Sequence, residues 1–251
     1  LKEPIWAYQS NWTLDGSSAP NGGIQVSGRR IEITGGADNW VVRYMRIRQG
    51  SKVRNAASNL MVMHASNGLV EHSSFTCGRD EGMSAGAWKD EAHRIRNVTF
   101  QYNLIGETLN CVDGNRDNLC DLNSGGRHQY GSYFGPGLDG VTLYRNAWVH
   151  HYFRTPQIVE TRPNVAHVQI VENVSHGAHF AGLLMTRHPL AVLKVDVIQN
   201  DWRPSRDVEI PPGNVTFEIG SENNQGTALA YFRGNRAPHL DGTEENCPGF
   251  D

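Results

Sequence analysis

Five side chains in this sequence stand where chemistry could be done. Asp80 and Glu81 interrupt an apolar pattern in "CGRDEGMS", Glu107 and Asn110 do so in "IGETLN", and Arg154 sits two positions before Pro156 in "HHYFRTPQIV". Carboxylates held about 4.8 Å apart on neighbouring strands repel unless one is protonated or a cation lies between them. A hard cation such as Ca²⁺ takes oxygen ligands of this kind. A guanidinium nearby, followed by a proline that fixes its own φ and biases Thr155 to extended backbone, would be held toward an anion. The plainer readings are solvated surface acids and an arginine paired to an acid for stability. The choice depends on whether the chain brings the three groups to one place.

A repeat supplies that placement. The segments "VTFQYNLI" from Val98, "VTLYRNAW" from Val141, "VQIVENVS" from Val168 and "VDVIQNDW" from Val195 alternate apolar with other residues and reach an asparagine at the sixth place. Asn146, Asn173 and Asn200 follow one another at intervals of 27, while Asn103 precedes Asn146 by 43. "WVVRYMRI" from Trp40 and "GLVEHSSF" from Gly68 fit the same phase. A second series, "GIQV" (23–26), "LMVM" (60–63), "GMSA" (82–85), "GSYF" (131–134) and "GLLM" (182–185), lies between them. Such a period with short β-segments predicts an all-β solenoid, a right-handed single-stranded parallel β-helix with coils of roughly 22–30 residues. The equal-phase asparagines are expected to stack their amides along the axis at a tight turn. A β-sandwich, the main alternative, predicts shorter spacing between turns and no such phase. Counted from the strand starts, Asp80, Glu107 and Arg154 then fall near one edge of a groove on successive coils.

Composition agrees with one solenoid. A chain of 251 residues can form a single all-β domain, so 1–251 is taken as one unit, with 111–127 as a loop insertion. A net charge of −3 supplies no global field for nucleic acid or an anionic membrane. No apolar run approaches the roughly 20 residues of a membrane span. The opening "LKEPIWAYQSNW" lacks the basic head and apolar run of a signal peptide and enters a patterned segment at once, so an export signal and some further structure are expected upstream. Of the four cysteines, Cys111 and Cys120 bracket a polar loop that a disulfide could close in an oxidising compartment, with free thiols as the alternative.

At these residues the sequence resembles the pectate lyase family, polysaccharide lyase family 1. The resemblance runs in order through "SNWTLDGSSAPNGGIQVSG", "NWVVRYMRIRQG", "NGLVEHSSFTCGRDE", "VTFQYNLIGETLN", "HQYGSYFG" and "VTLYRNAWVHHYFRTPQI". It implies a secreted, monomeric enzyme that cleaves a polygalacturonate-like acidic polysaccharide by calcium-assisted β-elimination. Asp80 and Glu107 match the family's calcium ligands, and Arg154 matches its catalytic arginine. The sequence departs from the family pattern at several places. Glu71-His72 replaces Asp-His, Gln157 and Val159 stand where a second arginine is usual, and Cys111 occupies the place of a further acidic ligand. Asn110 or Asp113 would then complete the cation's shell, or the cation would bind only together with substrate. Tyr130 stands in the place of a substrate-binding lysine. His128, Tyr130 and Gln157 are the positions expected to meet substrate.

Two rivals share the scaffold. A hydrolase of the polygalacturonase type needs several aspartates placed for acid–base work with water, and no Asn-Thr-Asp or Asp-Asp pair occurs. A non-catalytic carbohydrate-binding solenoid keeps the groove but does not require Arg154. "GPGLDG" (135–140) has the letters of a dinucleotide loop but leads into a strand, so it reads as a turn. His150 and His151 read as groove contacts or packing, and Trp88 as a candidate sugar platform.

Overall fold

A computed structural model describes residues 3–20, 23–50, 57–88, 94–109, 129–178, 182–204, 217–221 and 225–237. It is a right-handed parallel β-helix in which the described strands form three parallel sheets. Sheet B contains the long repeats, among them Asp38–Arg43, Ser66–Glu71, Ile95–Gln101, Leu138–Tyr144, Val165–Val171 and Val192–Ile198. Sheet C follows in each coil with short strands such as Ser74–Thr76, Leu104–Gly106 and Ala147–Val149. Sheet A closes the coil with Leu60–Met63, Glu81–Gly86, Tyr130–Phe134, Gln157–Glu160 and Gly182–Thr186.

The repeat phase predicts the register. Trp40 pairs with Gly68, Gly68 with Val98, Val98 with Val141, Val141 with Val168 and Val168 with Val195. Each coil buries one side of its strands, so identical phases stack into rows inside the helix. Val42, Val70, Phe100, Leu143, Ile170 and Val197 form one such row in sheet B, and all are fully buried. Phe134, Ile158 and Leu184 continue the interior beneath sheet A. A buried side chain of this size stabilises by about 1.5–3 kcal/mol. The rows are complementary: a Cβ on Gly68 would lie 2.0 Å from Cζ2 of Trp40, so the indole occupies the space that Gly68 leaves.

The eight-residue repeats are not single strands. Each bends between sheets B and C at a left-handed residue: Tyr102 (φ 53°), Arg145 (φ 52°), Glu172 (φ 53°) and Gln199 (φ 55°). The asparagine that follows holds the bend. Nδ2 of Asn103 donates to Oδ1 of Asn146 at 3.0 Å, Asn146 to Asn173 at 3.1 Å, and Asn173 to Asn200 at 2.9 Å. Asn235 extends the ladder by a fifth member, 3.0 Å from Asn200. The stretch "GIQV" lies in sheet C as Ile24–Ser27, whereas its coil enters sheet A with Ile31–Ile33. Its apolar alternation is the same in either sheet, so only the pairing with Met45–Arg48 decides its place.

Candidate active site

The candidate residues gather at the corner where sheet C turns into sheet A. The first residue past each short strand is left-handed: Cys77 (φ 55°), Glu107 (φ 48°) and His150 (φ 55°). These three stack, with the N–H of Cys77 donating to the carbonyl of Glu107 at 3.1 Å and the N–H of Glu107 to that of Val149 at 3.1 Å. Asp80 stands on the same corner one coil before Glu107 but three residues further along the chain than Cys77. Glu107 is exposed, and its Oε1 lies 3.7 Å from Nδ1 of His150.

Arg154 occupies this corner in the coil after Glu107. Its backbone is docked on the preceding strand of sheet A. The N–H of Gly131 donates to the carbonyl of Phe153 at 2.9 Å, and that of Ser132 to the carbonyl of Arg154 at 2.7 Å. Gly131 is required by this approach, because a Cβ there would lie 2.4 Å from the Arg154 carbonyl oxygen. Arg154 itself has φ 63°, a left-handed conformation that an L-residue adopts at a cost of about 1–2 kcal/mol. The contacts beneath offset that cost. Nε1 of Trp202 donates to the Thr155 carbonyl at 3.2 Å, and His151 lies buried with Nε2 3.0 Å from the Ile105 carbonyl. His151 is thus a packing residue of the corner, and burial pushes its imidazole down to about 4, so it is neutral near pH 7.

The guanidinium reaches back along the axis. Its Cζ lies 3.9 Å from the centroid of the Tyr130 ring and 5.2 Å from that of Tyr133. Nη1 is ion-paired with Oε1 of Glu81, two coils away. Glu81 is buried, and its other oxygen accepts from Oγ of Ser58 at 2.9 Å. Burial, reinforced by the charge of Asp80, pushes the Glu81 carboxyl up to about 7, against the opposing pull of Arg154 and Ser58. Burial also raises the phenols of Tyr130 and Tyr133, while the Arg154 charge opposes the rise. The arginine is therefore held by an aromatic face and a carboxylate, with its side chain still partly open to solvent.

The outer side of sheet A extends this arrangement. Tyr133 pairs in register with Gln157, and the Trp88 ring stacks on Tyr133 at a centroid distance of 6.1 Å. Gln157 is buried and its Oε1 has no hydrogen-bond partner. The corner thus brings together Arg154 and Tyr130, with Asp80 close enough for its charge to act on Glu81 and Tyr130. Glu107 contacts His150 instead. Asn110, His128, Asp113 and the Cys111 and Cys120 pair lie outside the described residues, as does the insertion 111–127. Cys77 is a free thiol.

Sequence reasoning passed over Ser58 and Tyr133, and it singled out Glu81 without its partner. Glu81 stands beside Asp80 in the same motif, but its pairing with Arg154 spans 73 residues and becomes visible only through the register Glu81–Tyr130–Phe153.

The family resemblance implies calcium as a cofactor, and Asp80 and Glu107 offer the hard oxygens that such a cation takes. Among the described residues no group of three or more His, Cys, Asp or Glu side chains could hold a metal, so these two carboxylates would supply only part of a shell of six to eight oxygens.

No protein-family model matches the chain. It is 29% identical over 235 residues to a protein named "Probable pectate lyase C" from Aspergillus flavus, covering 92% of this chain and 48% of that protein. The likeness to the "Probable pectate lyase C" of Aspergillus oryzae has the same extent. That of Aspergillus terreus is 29% identical over 146 residues, 58% of this chain and 29% of the relative. The chain thus spans about half the length of the first two curated relatives.

Proposed function

We propose that this chain, a relative of the pectate lyases, is the β-helix of a secreted polysaccharide lyase that cleaves a polygalacturonate-like uronan by calcium-assisted β-elimination. The observation that carries the reading is Arg154, docked at the C-to-A corner on Tyr130 and Glu81 and facing the outer side of sheet A. The relatives' names support the reaction class.

In such a reaction the C5 proton, α to the uronate carboxylate, is removed. The electron pair forms the C4–C5 double bond, the 4-O-glycosidic bond breaks, and no water is consumed. Arg154 would meet the uronate at the reacting centre. Held by its ion pair with Glu81, the Arg154 guanidinium binds and orients the carboxylate. Its service as a base, or its help to a hydroxide, requires alkaline conditions. Tyr130 and Glu81 fix the guanidinium so that little orientation is left to chance in the reacting complex. Asp80 and Glu107, with Asn110, would hold calcium, which bound to a uronate carboxylate withdraws charge and stabilises the enolate-like state.

The test is ultraviolet absorbance of the conjugated alkene from polygalacturonate, with calcium or with a chelator, for the wild type and Arg154→Ala. Absorbance is expected to grow only for the wild type with calcium. Chain cleavage without the alkene would indicate a hydrolase, and binding unaffected by Arg154→Ala with no cleavage would indicate a carbohydrate-binding solenoid. Growth that ignores the chelator would remove calcium from the reaction.

A further inference from the structure

The opposite edge of sheet A, where it turns into sheet B, carries a second cationic site. Successive coils contribute Arg94, Gly137 and the run Arg162, Pro163, Asn164 to one cavity of about 190 Å³. Arg94 is tied across the coils, its Nη2 donating to the carbonyls of Val165 at 2.8 Å and Leu138 at 3.4 Å. Its Nε is buried with no partner. Arg162 has a buried Nη1 with no partner, the one terminal guanidinium nitrogen among the described residues in that condition.

Among the described residues no carboxylate forms an ion pair with either guanidinium. Glu160, the acid in contact with the cavity's residues, is fully buried and already accepts from three neutral donors. These are the N–H of Gly137 at 3.0 Å, the N–H of Arg162 at 3.1 Å and Nδ2 of Asn164 at 2.9 Å. Asp139, the next acid along the chain from Gly137, faces Arg96 at 3.8 Å. Two guanidiniums therefore line one cavity with Glu160 already satisfied, and buried guanidinium donors without acceptors are costly. A planar oxoanion relieves that cost, since guanidinium forks match carboxylate and phosphate oxygens.

We propose that the Arg94–Arg162 cavity is a second oxoanion site, and that its occupant is a uronate carboxylate. The choice of a uronate over free phosphate rests on the polyuronate reading above. Arg154 precedes and Arg162 follows the strand Gln157–Glu160, so the two cationic groups bracket sheet A. An acidic chain lying across that sheet meets Arg154 at one edge and this cavity at the other.

The test is a nuclear magnetic resonance titration that follows the arginine Nε–Hε signals of the full chain. The probes are free galacturonate, inorganic phosphate and neutral galactose. Galacturonate is expected to shift the Arg94 signal in the wild type and equally in Arg154→Ala, while galactose leaves it in place. Arg162→Gln should weaken the response at least about tenfold, the order expected for loss of one charge-assisted contact. Arg94→Gln, followed at the Arg162 signal, serves if Arg162→Gln fails to fold. A response to phosphate with none to galacturonate overturns the proposal, as does silence toward both. A chain that forms no alkene from polygalacturonate yet shifts with galacturonate keeps this site and loses the lyase reading.

Discussion

Arg154 and Glu81, 73 residues apart in the chain, form an ion pair across two coils, with the Tyr130 ring beneath the guanidinium. The pair connects the candidate catalytic group to a buried carboxylate that Ser58 also holds, so the position of Arg154 depends on a coil well before its own.

Glu81→Gln should separate positioning from folding. The amide keeps the volume and the Ser58 contact but leaves the guanidinium without its counter-charge. The expected result is a loss of about a hundredfold in kcat on polygalacturonate, the cost of a misplaced reacting group, with a smaller change in KM. Initial rates and a thermal melt on the same samples check it. An unchanged kcat would detach Glu81 from the chemistry.

Gly131→Ala tests the docking of the Arg154 backbone. The added Cβ would stand 2.4 Å from the Arg154 carbonyl oxygen and 3.0 Å from Cγ2 of Thr155, so the turn must shift. Overpacking of this kind costs about 1–3 kcal/mol. Denaturant unfolding should show that loss, and lyase activity should fall further than the loss of folded protein explains.

Two buried groups give opposite pH dependence to stability. His151 titrates near 4 when folded against 6.5 in the unfolded chain. Its contribution is present above about 6.5 and is lost as pH falls toward about 4, at up to about 1.4 kcal/mol per unit. Glu81 is raised from 4.5 to about 7, so its contribution is present below about 4.5 and is lost as pH rises toward about 7. Between about 4.5 and 6.5 the two slopes oppose each other. Urea midpoints of Glu81→Gln should therefore rise with pH across that window more steeply than those of the wild type. Parallel curves would refute the assignment.

Asn173→Ala removes the middle of the amide ladder. Asn173 accepts from the N–H of Asn146 at 2.8 Å and donates to the Leu143 carbonyl at 2.9 Å, and both partners would be left buried. At about 1–3 kcal/mol per orphaned group, the loss should be at least about 2 kcal/mol. Chemical denaturation would register it as a lower midpoint.

Much of the architecture can be read from the chain because one physical rule governs every coil. Trp40, Gly68, Val98, Val141, Val168 and Val195 share a phase in sequence and pair in space. The turn within each repeat is legible from its equal-phase asparagine, whose amides stack as that phase predicts. The left-handed residues before it, Tyr102, Arg145, Glu172 and Gln199, are unlike in type and carry no signal of their own. Arg154, Tyr130 and Asp80 can be picked out by residue type and motif. Glu81 cannot be assigned its partner, because that contact needs the exact alignment of three coils, one of them separated by a long intervening segment.

The fit of Trp40 into the space above Gly68 has a consequence for engineering. Coils of this molecule are not interchangeable bricks, since each is cut to the profile of the one beside it. A graft that put any larger residue at the Gly68 phase next to Trp40 would collide with the indole, so transplanted segments must travel with their immediate neighbour.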